Sequence, residues 1–395
     1  ALDLALEPDL SPLPDLAVDQ ALPPDAGPVE PAARGVYRYT RLPVGGLGEL
    51  GRVAFRPQGD YALALEVSGD VYVVDWASGE ATPFAPGGTV YWTGLAWIDD
   101  GARAVLVGSR FDDGAWTAVV HHFDHAAWAA GEPPLSPSPD TERPGEQATA
   151  LSLSPAGVPI VLLSRRVGGG YNAILRGYDP QVRAWTAFVA ATVTSAGCGG
   201  LAHVRDEFGG VGRLVACGEN GADLHLHRTL GGVDEWVGRP GVGNIGNLGG
   251  VAAHPSLDYA LVIGWSGRRV HRFEGGRLLP SETAPNYSRS GILNVAFQPD
   301  GRRALVVGRA GVQPVRGTVI EFRHDLYRCP SVNNDCELTE VSIPGFDQPP
   351  YNGDGNHRLN HAAFHPGCDG GLLVGGYTAF RQDVGYLIRF EIENG

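Results

Sequence analysis

The segment 292–308, ILNVAFQPDGRRALVVG, constrains the fold more than any other stretch of this sequence. It contains an apolar run, a Pro-Asp-Gly turn and a second apolar run, which predicts two antiparallel strands joined by a tight turn. The same pattern recurs in six further segments, namely 50–65, 92–108, 148–164, 198–218, 248–264 and 359–375. A hairpin repeated in this way predicts an all-β repeat architecture.

One position in the first strand of every hairpin carries a small residue: Ala54, Ala96, Ser152, Ala202, Ala252, Ala296 and Ala363. Small residues at a fixed strand position are expected where neighbouring sheets crowd round a common axis. A third strand of alternating character follows each hairpin, as in WTAVVHHFD and GYLIRFE. The sequence therefore predicts a seven-bladed β-propeller over residues 35–395, with the hairpins as inner strands.

The two ends of this domain are predicted to pair. The last repeat ends on its third strand, at residues 386–393, and so lacks a fourth strand. Residues 36–42, VYRYTRL, precede the first hairpin and alternate with period two. An N-terminal strand of this kind would complete the last blade as a velcro strand and cover its open edge.

A resemblance supports this interpretation. The form VAFxPDGxxALVVG, present at 295–308 and more loosely at 53–65, resembles the repeat of the broad WD40-like, YVTN and TolB-type β-propellers. It covers nearly all of residues 36–395 and implies the fold, but such propellers serve as hydrolases, oxidoreductases, receptors and scaffolds alike. The Gly-His and Trp-Asp pairs of eukaryotic WD40 repeats do not recur, which argues against a cytosolic scaffold of that type.

Residues 1–34 form a different kind of segment, rich in Pro, Asp and Leu and without aromatic residues. Such a composition predicts an extended tail or linker rather than a packed domain. The tail resembles the Pro-Asp-Leu linkers that follow a signal peptide or a lipid-anchor cysteine in myxobacterial-type surface proteins. This resemblance implies a secreted or cell-surface protein.

Within this tail, Leu2, Leu4 and Leu6 alternate with polar or small residues, as in a strand. A strand of this type can add to the exposed edge of an outer blade strand in another copy. We therefore expect self-assembly through the tail, and a head-to-tail contact that does not close would produce a fibre. The alternative is a tail that serves only as a tether.

Charge and composition exclude several partners. The formal net charge is −14, which disfavours nucleic acid and anionic membrane surfaces. No apolar run is long enough to cross a bilayer. All 30 basic residues counted as Lys and Arg are arginines, so lysine chemistry is excluded.

The cysteines predict two disulfides. Cys198 and Cys217 lie at the open ends of the two strands of one hairpin and should face each other. Cys329 and Cys336 bracket the loop CPSVNNDC, where a short bridge is natural, and Cys368 is left free in a turn. Two bridges would indicate an oxidising compartment, whereas free thiols in a reducing cytosol are the alternative.

The best candidate for a bound ion is a loop with Asn352, Asp354 and Asn356 separated by glycines, since alternating oxygen ligands can surround Ca²⁺. The alternative is an ordinary turn, because no bidentate acid follows at the expected distance. The cluster His121, His122 and His125 is a weaker metal candidate, since alternation sends the first two to opposite faces.

The predicted axis gathers polar residues from the starts of the inner strands: Glu49, Arg52, Trp92, Gln147, Asn247, Asn294, Asn360 and His361. A Glu with several Asn resembles the groups that hold a divalent ion at the axis of metal-dependent lactonase propellers. The alternative is a set of polar residues that line a water-filled channel. The sequence contains no serine nucleophile motif, phosphate-binding loop or haem-attachment motif.

These observations favour a noncatalytic secreted or cell-surface propeller that acts as a structural or interaction module. A ligand-binding propeller and a metal-dependent hydrolase are the alternatives. The arrangement of oxygen atoms at the axis should separate them.

Overall fold

The structure, a computed structural model, describes most of the chain from residue 36 onward. The described residues are 36–43, 47–67, 69–84, 90–138, 142–168, 170–193, 198–217, 223–230, 233–239, 248–264, 269–279, 282–283, 291–310, 316–323, 338–341, 356–379 and 382–393. Nearly all regular structure in this part of the chain is β-strand.

The strands are numbered in chain order. They are β1 (Val36–Arg41), β2 (Leu50–Phe55), β3 (Tyr61–Glu66), β4 (Val71–Asp75), β5 (Ala81–Phe84), β6 (Tyr91–Ile98), β7 (Arg103–Asp112), β8 (Ala115–Asp124), β9 (Leu135–Pro137), β10 (Arg143–Pro144), β11 (Glu146–Leu153), β12 (Pro159–Val167), β13 (Gly170–Asp179), β14 (Ala184–Val193), β15 (Cys198–Arg205), β16 (Val211–Cys217), β17 (Asp223–Leu230), β18 (Val233–Arg239), β19 (Leu248–Ala253), β20 (Tyr259–Gly264), β21 (Arg269–Glu274), β22 (Arg277–Leu278), β23 (Glu282–Thr283), β24 (Gly291–Phe297), β25 (Arg303–Ala310), β26 (Arg316–Arg323), β27 (Leu338–Val341), β28 (Asn356–Phe364), β29 (Gly370–Ala379) and β30 (Gln382–Glu393). A short helix, α1 (His125–Ala129), and a 3-10 turn (Asp99–Gly101) complete the described elements.

All seven predicted hairpins form as antiparallel pairs: β2–β3, β6–β7, β11–β12, β15–β16, β19–β20, β24–β25 and β28–β29. We call them hairpins 1 to 7. Each first strand packs against the first strand of the next hairpin, and β28 of hairpin 7 packs against β2 of hairpin 1. The contacts between the first strands are therefore cyclic.

A third strand pairs with each hairpin, as predicted. We call each hairpin, together with the strands that pair onto it, a set. Most sets have four antiparallel strands, in orders such as β2-β3-β4-β5 and β24-β25-β26-β27. Hairpins 2 and 3 belong to one nine-stranded sheet, because β8 and β11 meet through the single parallel pair Thr117–Glu146. Backbone pairing among the described residues thus gives six sheets, and this one pair of residues joins two of the sets.

The predicted pairing of the two ends is confirmed. Strand β1 pairs antiparallel with β30 along its whole length, from Val36 opposite Glu393 to Arg41 opposite Ile388. The sheet order is β1-β30-β29-β28, so the N-terminal strand supplies the fourth strand of the last set. Its apolar contacts include Tyr37 and Tyr39, which pack against Phe390.

In the part of the chain that the structure describes, seven hydrophobic clusters lie between the sets. Each cluster combines buried residues of two consecutive hairpins, and one combines hairpin 1 with hairpin 7, where Leu50, Val53 and Ala64 meet Leu372 and Val374. Because these strands are apolar on both faces, each set is buried on two sides. Burial of this apolar surface is the main stabilising contribution.

Every hairpin carries a β-bulge at the same place, near the start of its first strand. The residues passed over in the pairing are Gly51, Thr93, Thr149, Gly199, Gly249, Leu293 and Asn360. A bulge bends the strand and redirects nearby side chains. The sequence repeat did not reveal these bulges, since the bulged residues differ in chemical type.

The turns at the opposite end of the hairpins are also alike. Each contains a residue with positive φ, namely Gly59, Gly101, Gly157, Gly209, Leu257, Gly301 and Cys368. Their carbonyl groups accept hydrogen bonds from the preceding hairpin in five cases: Arg56 to Gly101, the Arg205 backbone to Leu257, His254 to Gly301, Gln298 to Cys368, and His365 of hairpin 7 to Gly59 of hairpin 1. The turns therefore link consecutive hairpins, including the last to the first.

Candidate functional site

The bulged ends of several first strands surround a cavity of about 330 Å³. It is lined by Glu49, Gly51, Arg52, Val67, Trp92, Leu293, Arg309, Arg358 and Asn360. Gly51, Leu293 and Asn360 are bulge residues, so the bulges help to shape its wall. We take this cavity as the candidate functional site.

Half of the predicted axial set lies in this wall: Glu49, Arg52, Trp92 and Asn360. Gln147 lies on β11 and Asn247 lies outside the described residues. Asn294 and His361 each bury a polar atom, Oδ1 and Nδ1, that has no hydrogen-bond partner among the described residues.

The carboxylate of Glu49 is the centre of a partly buried polar network. It forms an ion pair with the guanidinium of Arg358. The Asn360 Nδ2 donates to Glu49 Oε1 at 2.6 Å and to the Leu50 carbonyl at 2.8 Å. Since both neighbours of that nitrogen are acceptors, the amide presents its N–H groups and not its oxygen to Glu49.

Arg52 is held by backbone carbonyls. Its Nε donates to the Thr93 carbonyl at 3.0 Å and its Nη1 to the Gly51 carbonyl at 2.9 Å. Burial lowers the pKa of the Arg52 guanidinium, which nevertheless stays protonated because an arginine does not titrate in the physiological range. Burial, followed by the charge of Arg52, lowers the pKa of His361 to about 3, so that imidazole is neutral.

This arrangement does not fit the alternative of a metal site at the axis. A divalent cation would need the oxygens of Glu49, which Arg358 and Asn360 already bind. It would also lie beside the guanidinium of Arg52, which forms no ion pair with a described carboxylate, so repulsion opposes binding. Within the described part of the chain, no group of three or more His, Cys, Asp or Glu side chains could hold a metal ion.

The histidines of the HHFDH segment are packing residues. His121 packs edge-on against Trp92 with ring centres 5.2 Å apart, and His122 hydrogen-bonds the Tyr178 hydroxyl. His125 begins helix α1, because Asp124 caps that helix through the Ala126 and Ala127 amides. Burial lowers the pKa of His121 and of His122 to about 4.

The Cys198–Cys217 disulfide is present, and Cys198 lies opposite Cys217 in the pairing of β15 with β16. This prediction is confirmed. Cys368 is free and occupies the turn of hairpin 7, also as predicted. Cys329 and Cys336 lie outside the described residues, so their bridge stays a prediction.

Two further predictions fall largely outside the described residues. For the calcium loop, Asn352 and Asp354 are not described, and Asn356 is described only as the first backbone residue of β28. For the assembly segment, Leu2, Leu4 and Leu6 are all outside the described part. Both stay predictions.

Sequence analysis missed two arginines of the cavity wall. Arg309 follows the last residue of its repeat segment, and Arg358 precedes the first residue of another. Both stand one position outside the repeats. Arg358 could have been found from its spacing, because it lies two residues before Asn360 on a strand, and residues with that spacing tend to share a face.

Sequence analysis also missed a Ser–His contact between hairpins 3 and 4, where Ser152 Oγ lies 3.1 Å from His203 Nδ1. Burial and then the charge of Arg213 lower the pKa of His203 to about 4, so the imidazole is a weak base. Its Nε2 has no hydrogen-bond partner in the described part of the chain, so nothing described there orients the ring as a catalytic pair requires. We interpret the pair as packing between neighbouring hairpins.

Comparisons with protein-family models and with curated proteins find no match to this chain. Among the described helices, none has the length and apolar character needed to cross a membrane.

Proposed function

We propose that residues 36–393 form a seven-bladed β-propeller that acts as a noncatalytic interaction module, secreted or at the cell surface. The propeller is supported by the cyclic order of the seven hydrophobic clusters and of the turn-to-turn hydrogen bonds. The pairing of β1 with β30 supports a velcro closure. The Cys198–Cys217 disulfide supports an oxidising compartment.

The observation that carries the noncatalytic assignment is the state of Glu49. A general base or a metal ligand needs an oxygen that can reach the substrate or the ion. Here Arg358 and Asn360 bind both carboxylate oxygens. The carboxylate therefore contributes to the structure of the cavity wall, and a metal-dependent hydrolase is the less favoured function.

The test compares hydrolysis by the wild type, Glu49→Gln and the control Glu393→Gln. Glu393 pairs with Arg38 at the exposed edge of β1 and β30. Each protein is assayed against a panel of lactones and esters, with and without Ca²⁺, Mn²⁺ or Zn²⁺. We expect no metal-stimulated turnover. Turnover that Glu49→Gln abolishes and Glu393→Gln preserves would establish the hydrolase instead.

We further propose that Leu2, Leu4 and Leu6 join copies by strand addition. An acceptor edge is available on β14, the longest of the outer strands, which pairs with β13 on one side; no described strand pairs with its other side. An open edge of this length is a template for another strand. The tail could supply that strand.

Sedimentation velocity on the full chain, on a chain without residues 1–27 and on a Leu2→Ser, Leu4→Ser, Leu6→Ser variant tests this assembly. We expect concentration-dependent assembly of the full chain and folded monomers for both variants. Equal assembly of all three proteins, or a full chain that stays monomeric at high concentration, would refute the role of the tail.

A further inference from the structure

We propose that the cavity at the bulged strand ends binds a small organic oxyanion, whose carboxylate or phosphate group pairs with Arg52. The juxtaposition that supports this site is a guanidinium without an anionic partner beside an open, partly apolar cavity. The proposal does not depend on assembly through the tail.

The charge of Arg52 lacks compensation within the described structure. Both of its hydrogen bonds go to neutral backbone carbonyls, of Thr93 and Gly51, and no described carboxylate forms an ion pair with it. Placing a charge in a partly buried site without an opposite charge is unfavourable. A bound anion would supply the missing charge and would use Nη2, which donates no hydrogen bond to any described residue.

The geometry of Arg52 is fixed before any ligand binds. Two carbonyls from neighbouring strands, β2 and β6, hold its planar group at two separate nitrogens, Nε and Nη1. A guanidinium held in this way loses little conformational entropy when it pairs with a planar or tetrahedral oxyanion. Preorganisation of this kind is a property of binding sites.

Glu49 does not compete for Arg52, because Arg358 and Asn360 bind it. This network separates Glu49, which is the one carboxylate among the described residues of the wall, from the guanidinium that we assign to the ligand. Arg309 also lines the wall. The field in the cavity therefore favours an anion over a cation.

The ligand should be organic because part of the wall is apolar. Trp92, Val67 and Leu293 contribute to it, and the Trp92 indole N–H donates to the Gly69 carbonyl, which fixes the ring. A volume of about 330 Å³ lies at the lower end of the range for small-molecule sites. A short carbon chain that carries a carboxylate or a phosphate group fits this combination.

The experiment uses the full chain and isothermal titration calorimetry with three probes: succinate, glycerol 3-phosphate and the neutral analogue succinamide, at constant ionic strength. The proteins are wild type, Arg52→Gln and the control Arg38→Gln, which removes the same charge from an exposed strand edge. We expect saturable binding of at least one anion to wild type and to Arg38→Gln. In Arg52→Gln the affinity should fall about tenfold or more, and succinamide should not bind.

The two anions distinguish a carboxylate site from a phosphate site, and saturation by either supports the proposal. No saturation by either anion up to about 10 mM would overturn it, since such an affinity is too weak for a specific site. Equal affinity of wild type and Arg52→Gln would also overturn it.

A second variant keeps the test decisive if Arg52→Gln does not fold. Glu49→Gln releases Arg358 from its ion pair and leaves Arg52 in place. The affinity for the same anion should then rise several-fold, because a second guanidinium becomes available. An unchanged or a lower affinity would contradict the proposal.

Discussion

Single residues decide how closely the seven turns approach one another. Gly59 has a φ of +76°, and a Cβ there would lie 2.4 Å from Nε2 of His365 in the turn of hairpin 7. The His365 ring stacks on Trp76 with ring centres 4.8 Å apart and lies 3.1 Å from the Gly59 carbonyl. Gly59 is therefore needed for two reasons, the backbone conformation and the contact.

Gly157 offers a matched comparison, because it has a φ of +77° and nothing lies within 4 Å of the position of a Cβ. Gly157→Ala should cost only the left-handed backbone strain, about 1 kcal/mol. Gly59→Ala should cost about 2–4 kcal/mol, since the His365 ring must also move and lose its hydrogen bond. Urea unfolding measures both changes. Equal losses would show that the contact between the turns of hairpins 7 and 1 contributes nothing.

Buried histidines should make the protein sensitive to acid. The pKa of His203 falls to about 4 in the folded state, whereas an unfolded histidine titrates near 6.5. Because the unfolded chain then binds more protons, the free energy of unfolding should decrease as the pH falls from about 6.5 to about 4, by at most about 1.4 kcal/mol per pH unit for this group. Above that window the contribution is constant.

His203→Phe removes the titrating group and should therefore reduce this pH dependence. Phe is chosen because four of the equivalent positions in other hairpins carry Phe or Trp. Urea unfolding at pH 7.5 and pH 4.5 gives the difference for the variant and for wild type. The variant loses the contact with Ser152 at both pH values, so the difference isolates the titration. An unchanged difference would mean that His203 does not titrate in this window.

Among the elements, β1 is held by side-chain contacts as well as by its backbone pairing with β30. The Tyr37 hydroxyl donates to Glu321 Oε1 at 2.8 Å, and Glu321 is buried on β26 in the neighbouring set. The Tyr39 hydroxyl is also buried but has no hydrogen-bond partner among the described residues. Burial raises the pKa of both tyrosines well above the ordinary value, so both hydroxyls are protonated at neutral pH.

The same substitution should have different effects on stability at these two tyrosines. Tyr37→Phe removes a donor from a buried carboxylate and should destabilise the fold by about 1–3 kcal/mol. Tyr39→Phe removes a hydroxyl that gains nothing on burial and should leave stability unchanged or raise it by up to about 1 kcal/mol. Thermal and urea unfolding of both variants distinguish the cases. The reverse order would show that the hydroxyl of Tyr39, rather than that of Tyr37, stabilises β1.

The elements were predictable where the repeat is regular. Apolar runs on both sides of a turn identified all seven hairpins, and alternation in 36–42 identified β1, because these signals are local. The pair Thr117–Glu146, which joins two sets into one sheet, depends on a tertiary contact between residues far apart in the chain. The bulges also escaped prediction. So did two arginines of the cavity wall, Arg309 and Arg358, because both flank the repeats.

For the whole molecule, the pairing of β1 with β30 predicts a sharp boundary for truncation. Removal of residues 1–34 should leave the melting temperature unchanged, because β1 keeps its contacts. Removal of residues 1–41 exposes the edge of β30 and the contacts of Tyr37 and Tyr39, and should cost about 3 kcal/mol or more. Thermal unfolding and limited proteolysis of both truncations test the boundary. Equal stability of the two would show that β1 is dispensable.

The pairing of β1 with β30 can form only after β30 has been translated. Strand β1 is among the first parts of the domain to be synthesised, and its partner β30 is the last described strand. At about 5–20 residues per second, the roughly 340 residues between them take on the order of half a minute to translate. Until then β1 has no native partner within its own chain. On a transcript that carries several ribosomes, β1 of a younger nascent chain could pair with β30 of an older one, which would exchange the strand between two molecules.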